Sequence, residues 1–228
     1  MMLFDAAYQE EIKLDDGTRV RLRLVRPTDK ELLVRGLARL SPASRYRRFL
    51  TDKDHFSPDE LRYLTECDGT NHLAIGASLV HPEPKEEGPE GLGVARFVRD
   101  PRHPEVAEAA VAVIDDYQGR GLGRLLCRRL VQAARERGIE RFACEMMPGN
   151  LPVQALVQEL APEAIAASDE DEVSLQIPLR VPVAEAPHER GPVEQLLAIV
   201  AKGLVRVRSV FTRHSEAPPG QDQDSPLS

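Results

Sequence analysis

Tyr117-Gln118-Gly119-Arg120-Gly121-Leu122-Gly123 decides how this chain reads. Before it runs Val111-Ala112-Val113-Ile114, a short continuous apolar run of the kind a buried strand carries. After it, Leu122, Leu125, Leu126, Leu130, Val131 and Ala134 fall on one helical face, with Arg124, Arg128, Arg129, Arg135 and Arg137 on the polar side. Gly138 closes the pattern as a C-terminal glycine does. The stretch is therefore a glycine turn joining a strand to the N-terminus of a helix of about four turns. At such a junction several backbone N–H groups lack intrahelical partners, and the positive end of the helix dipole faces the same point. That point suits a phosphate or pyrophosphate. A Cβ at Gly119, Gly121 or Gly123 would hold the anion off the backbone or strain the turn.

Three phosphate-binding patterns compete with a bare helix-capping turn. A P-loop needs Lys-Ser/Thr after its last glycine, and Arg124-Leu125 stands there instead. The dinucleotide fingerprint spaces its glycines two and then three apart near the start of a βαβ unit. Here Gly119, Gly121 and Gly123 are evenly spaced and the turn lies mid-chain. The third pattern is Gln-x-x-Gly-x-Gly, present as Gln118 to Gly123. It is similar to the acyl-coenzyme A pyrophosphate loop of the GNAT superfamily of N-acetyltransferases.

Around the turn the elements alternate. Thr18 to Val25 sets Arg19, Arg21 and Arg23 against Val20, Leu22 and Leu24, a half-buried strand paired through Asp15-Asp16-Gly17 with Ile12 to Leu14. Thr28, with Glu31 three residues on, reads as the N-cap of a helix ending near Leu40. A second short helix passes through Ser44-Arg45-Tyr46-Arg47-Arg48-Phe49, and a third opens at Ser57-Pro58-Asp59-Glu60. Strands follow at Asn71 to Val80, Gly91 to Val98 and Glu105 to Asp115, then the glycine turn and its helix. Arg141 to Met147 is a strand, Leu151 to Leu160 a helix, and Ala164 to Ala167 and Val173 to Leu179 close as a strand pair. This is a mixed α/β order with one βα crossover at its centre.

We read residues 1–180 as one domain, 181–191 as a Pro/Ala/Glu linker, 192–213 as a basic amphipathic helix and 214–228 as a disordered tail. The helix over 192–213 packs on its own domain or mediates self-association. No run of eighteen apolar residues occurs, so a membrane span is not expected. The first residues lack a secretion signal, and Cys67, Cys127 and Cys144 have neither disulfide nor metal spacing. Both features point to a reducing cytoplasm. A net charge of −7 argues against a nucleic-acid partner.

The resemblance to GNAT acetyltransferases extends from about Thr18 to Leu179. Its most specific part runs from Ala107-Glu108-Ala109-Ala110-Val111 through Gly123 and looks like the bacterial protein-lysine acetyltransferase branch, as do Ser44 to Phe49 and Asn150. The resemblance implies an α+β fold: a splayed, mixed, mostly antiparallel sheet flanked by helices and opening after its fourth strand. It implies acetyl-coenzyme A as cosubstrate, its pantetheine arm pairing with the backbone of Val111, Ala112 and Val113. The pyrophosphate would lie on Gln118, Gly119, Arg120, Gly121, Leu122, Gly123 and Arg124, and Asn150 would hold the pantetheine end. Val157 stands where many members carry a tyrosine acid for the leaving thiolate. The expected activity is acetyl transfer from acetyl-coenzyme A to an amine, a protein lysine first. The alternatives are a small amine acceptor or a silent acyl-coenzyme A-binding module.

A lysine ammonium must lose a proton before it attacks a thioester, and a carboxylate can take it. Glu108 precedes the pantetheine-pairing residues and by strand alternation shares a face with the small Ala110 and Ala112. It is the candidate base, with the Asp115-Asp116 pair as second choice. Arg45, Arg47 and Arg48 read either as a guide for an acidic substrate or coenzyme phosphate, or as a solvated helix face.

Overall fold

The computed structural model describes residues 2–49, 53–81, 88–146, 165–169 and 172–179. Asn150, Val157, the helix expected over Leu151 to Leu160 and everything from 180 onward lie outside them.

Period-two patterns form the sheet. β1 (Gln9–Lys13) and β2 (Arg19–Leu24) make a hairpin, and Gly17 supplies the positive φ of +87° that its turn needs. β3 (His72–Leu79), β4 (Gly91–Arg99) and β5 (Val106–Val113) extend it, followed by β6 (Arg141–Met146), β7 (Ile165–Asp169) and β8 (Glu172–Pro178). The order across the sheet is β1-β2-β3-β4-β5-β6-β8-β7. Every neighbouring pair is antiparallel except β5 and β6. That parallel join is short: Val106, Ala107 and Glu108 face Arg141, Phe142 and Ala143, and it extends no further along β5. Counted from β2, β5 is the fourth strand, so the sheet opens where the expected splay falls.

Four helices cover the two faces. α1 (Lys30–Ala38), α2 (Pro42–Phe49) and α3 (Pro58–Thr65) lie before β3, and α4 (Leu122–Glu136) connects β5 to β6. α4 buries Leu122, Leu126, Cys127, Leu130, Val131, Ala133 and Ala134 against β3, β4 and β5. It ends as its sequence demands. Gly138, at φ +72°, follows the last turn, and the Ile139 N–H donates to the Ala134 carbonyl at 3.0 Å. Gly93 is where α4 and the sheet come closest: a Cβ there would stand 2.8 Å from the Ala112 carbonyl oxygen and 3.1 Å from Leu126. α1 to α3 cover the opposite face, which carries Gly76, Val94, Arg96, Glu108, Ala110 and Ala112 by register.

Two local readings change. The first helical turn is a 3-10 turn over Pro27–Asp29, which places Thr28 inside it rather than at the N-cap. Pro27 fixes φ at the first position, and the Asp29 carboxylate takes the Arg26 N–H at 2.8 Å and both Arg23 guanidinium nitrogens at 2.6 and 2.7 Å. The helix then ends at Ala38, short of Leu40. α3, by contrast, opens as read: the Glu60 N–H donates to Ser57 Oγ and the Ser57 N–H to Glu60 Oε2.

Residues before β1 belong to the core. Phe4 is fully buried and Tyr8 nearly so, their rings 4.5 Å apart. The Glu136 carboxylate takes the Leu3 and Phe4 N–H groups, and Arg137 donates to the Phe4 carbonyl.

Candidate active site

The glycine turn takes a shape that only glycine adopts freely. Gly119 and Gly121 have φ of +75° and +86°, and Gly121 is the N-cap of α4. Gly123 lies within the first turn of α4. No side chain caps the helix. Among the described residues, the N–H groups from Gly119 to Arg124 donate to no protein acceptor. Backbone donors and an uncapped dipole thus lie just beyond the end of β5, and nothing lies within 4 Å of where a Gly119 Cβ would stand. The cradle fits a pyrophosphate.

The turn is held from behind. Gln118 donates from Nε2 to the Val113 carbonyl at 3.0 Å and to Ser44 Oγ at 3.4 Å, so its side chain faces inward. Asp115 accepts from the Ser41 N–H, Ser41 Oγ and Ser44 Oγ, each at 2.9 Å. Burial would raise its pKa, but these bonds outweigh burial and hold the carboxyl below its ordinary value. Asp115, the second choice of base, therefore fastens α2 to the turn. The paired serines after Leu40 were the visible sign of this clasp. The Arg120 guanidinium lies over the Tyr117 ring at 4.7 Å and pairs with Asp16 of the β1–β2 turn at 3.3 Å.

Val111, Ala112 and Val113 pair on one side with Ala95, Val94 and Gly93 of β4. Their other edge lies beyond the last β5–β6 pair, Glu108 with Ala143. Glu108 is half-buried at the fork, on the same face as Ala110 and Ala112. Val113 lies five residues further on, about 17 Å along a strand. The turn and the open strand edge thus adjoin, and Glu108 stands apart from the turn by the length of an extended arm. Asn150 lies outside the described residues.

On the Glu108 face, α1, α2 and α3 roof a cleft enclosing about 850 Å³, its open mouth included. Leu32, Leu33, Leu37, Leu40, Phe49 and Phe56 form much of its wall, and Gly76, Val94 and Ala112 lie on its floor. Strand alternation in the sequence marked Arg23 as solvated. It lies instead in the cleft wall, tied to the buried Asp29. Arg96 is only 4% exposed, and Arg48 lines the cleft with it. Arg96 donates to the Leu64 carbonyl at 3.1 Å and contacts His72 Nε2 at 3.2 Å. Burial first, and the Arg96 charge second, push the His72 pKa down to about 4, so its imidazole is neutral and accepts. Tyr63 stacks on His72 with centroids 4.8 Å apart, and burial pushes its hydroxyl up to about 12. The sequence marks His72 only as a surface or hydrogen-bonded structural residue and does not single out Arg96, its partner.

Known proteins resemble this chain in sequence and fold. Residues 38–161 match the profile of the Acetyltransferase (GNAT) family. The chain is 37% identical over 130 residues to Acetyltransferase PA5475 of Pseudomonas aeruginosa, covering 57% of this chain and 67% of that protein. It is 31% identical over 153 residues to Acetyltransferase Pat of Mycolicibacterium smegmatis, covering 65% of this chain but only 43% of that protein. Among solved structures, the GNAT domain of S. lividans PAT superposes with a TM-score of 0.61 at 26% identity, covering 77% of this chain and 99% of that domain. With its glycine turn, its forked sheet and these relatives, the chain belongs to the GNAT family of acetyltransferases and is an acyl-coenzyme A-dependent N-acetyltransferase.

Proposed function

We propose that this chain moves an acetyl group from acetyl-coenzyme A directly to an amine, with a protein lysine as the acceptor and Glu108 as general base. The observation that carries the reading is the uncapped glycine turn set beside the edge of β5 that no described strand pairs beyond Glu108. The N–H groups of Gly119 to Arg124 would hold the pyrophosphate, with Arg120 leaving Asp16 to add its charge. The backbone of Val111, Ala112 and Val113 would pair with the pantetheine arm, and Asn150 would hold the arm's end. The thioester supplies an already activated acyl group. Backbone N–H groups near Val111 would polarise its carbonyl, and Glu108 would take the proton that the attacking amine sheds. The small side chains of Ala110 and Ala112, beside the cleft, leave room for a lysine stem. Cys67 is a free thiol, in keeping with a cytoplasmic site of action.

Mass spectrometry of a bacterial lysate incubated with the protein and isotope-labelled acetyl-coenzyme A tests the acceptor. Label should appear on lysine Nζ of proteins and depend on Glu108. Label confined to small amines would replace the acceptor and leave the transfer standing.

A further inference from the structure

The cleft beside the transfer face carries positive charge that no described residue pairs with. Its charged lining consists of Arg23, Asp29, Arg48 and Arg96. Arg23 and Asp29 satisfy each other with two bonds at 2.6 and 2.7 Å. Arg48 and Arg96 are left, and neither makes an ion pair among the described residues. Arg96 is 4% exposed, and its Nε is buried with no hydrogen-bond acceptor, although Nη1 and Nη2 reach His72 and Leu64. Arg48 has only the ring of Phe49 beneath it, 4.9 Å from the guanidinium carbon. The groups facing the two arginines do not offset them. His72 is neutral, Tyr63 keeps its proton, and the Cys67 thiol is raised by burial. Glu108 shares the sheet face but pairs with neither arginine. Burial and then the neighbouring Arg96 push Arg48 down to about 10, and burial lowers Arg96 as well; a guanidinium nevertheless keeps its charge in a protein. Two guanidinium groups held close in an apolar cleft, within a chain of net charge −7, are costly unless an anion joins them.

The register says where that anion lies relative to the chemistry. Arg96 is the direct β4 partner of Ala110, which neighbours Val111, where the thioester carbonyl is proposed to sit. Cross-strand partners are about 4.5–5.5 Å apart at Cα. The cleft spreads from there toward β2 and β3, away from the β5–β6 fork where the coenzyme arm is placed. We propose that Arg48 and Arg96 form a carboxylate-binding subsite for the acceptor. The preferred target lysine then has an acidic residue beside it: Nζ enters toward Ala110 and the neighbouring carboxylate docks on the two guanidinium forks. A carboxylate matches the planar, bidentate donors of arginine. The apolar cleft wall accommodates the stems of both side chains. This inference rests on the proposed lysine acceptor, and its test separates the two.

Two measurements on the full chain decide it. In the first, glutarate is titrated by calorimetry into the parent and into Arg48→Gln and Arg48→Lys. Arg48 ends a partly exposed helix, so these variants keep the fold, which circular dichroism checks. The parent should bind glutarate. Arg48→Gln should bind at least about tenfold more weakly, the loss typical of a charge-assisted hydrogen bond, and Arg48→Lys should recover only part of the difference. In the second, kcat/KM with acetyl-coenzyme A is compared for a lysine peptide flanked by glutamate and its glutamine twin. The glutamate peptide should win by roughly tenfold or more in the parent, through KM, and the preference should vanish in Arg48→Gln while the KM for acetyl-coenzyme A stays put. Glutarate binding that is absent, or equal in parent and Arg48→Gln, overturns the subsite. So does a glutamate preference that survives in Arg48→Gln. Faster transfer from succinyl- than from acetyl-coenzyme A, lost in Arg48→Gln, overturns the acceptor assignment by giving the arginines to the acyl group. Arg48-dependent glutarate binding with no transfer to either peptide supports the subsite and refutes the lysine acceptor.

Discussion

His72 holds a proton less readily in the fold than in the unfolded chain. Its ordinary pKa of 6.5 falls to about 4, first through burial and second through Arg96. Between those values the unfolded chain takes up a proton that the folded protein refuses. Stability is therefore full above about pH 6.5 and is lost as the pH falls toward about 4, by up to about 3 kcal/mol. His72→Gln keeps an acceptor for Arg96 and cannot titrate, so urea denaturation should give a flatter stability profile across this window. An equally steep profile in the variant would place the sensitivity elsewhere. A second residue-scale test concerns Gly121, at φ +86° and beside the proposed pyrophosphate. Gly121→Glu adds about 1 kcal/mol of backbone strain and a negative charge. It should abolish acetyl-coenzyme A binding in calorimetry while circular dichroism reports a folded protein. Unchanged affinity would remove the turn from the coenzyme site. Gly119 and Gly121 were legible in the sequence because a positive φ needs glycine. Arg96 was not, because a single arginine between Val94 and Val98 on one strand face has no period to place it, and only the packing of α1 to α3 buries it.

At the scale of elements, the β1–β2 turn reaches the glycine turn before α4. Asp16 pairs with Arg120 at 3.3 Å, and Asp15 Oδ2 lies 3.9 Å from where a Gly121 Cβ would stand. Both carboxylates set negative charge beside a site shaped for an anion. Asp16→Asn should free Arg120 and tighten acetyl-coenzyme A binding by roughly two- to fivefold at low salt, an exposed-pair effect that fades as salt screens it. Equal or weaker binding at every ionic strength would show that Arg120 plays no part. The long elements could be read in advance. α4 declares itself by seven buried positions at helical spacing and a glycine stop, and β5 by its apolar run. The start of α1 could not. Thr28 and Glu31 spell a capping box, yet Pro27 starts a 3-10 turn and a distant arginine, Arg23, claims Asp29. That choice is tertiary and leaves no local trace.

For the whole molecule, the sheet is one surface with one fork, and both ends of the described chain fasten it. Phe4 is fully buried under Tyr8 and bonded through its backbone to Glu136 and Arg137 at the end of α4. Phe4→Ala should cost about 3–5 kcal/mol by denaturation, although the residue precedes the first strand. A cost under 1 kcal/mol would make the segment an appendage. The sequence resemblance began near Thr18, so this anchoring was invisible to it: a lone Phe among Met2, Leu3, Ala6 and Ala7 has no period to reveal its partner. The fork itself was foreseen from family likeness, and the register at Glu108 and Ala143 gives it a physical place.

The central claim is that Glu108, at that fork, takes the proton as an amine attacks the thioester. Glu108→Gln keeps the size and removes the acceptor. Steady-state turnover of a lysine acceptor at neutral pH, with the acetyl-coenzyme A dissociation constant measured alongside, tests the claim most directly. The expected result is a fall in kcat of about 10²–10⁴-fold, an unchanged dissociation constant, and a deficit that shrinks as rising pH deprotonates the amine unaided. Parent and variant turning over equally, with chemistry rate-limiting, would contradict it.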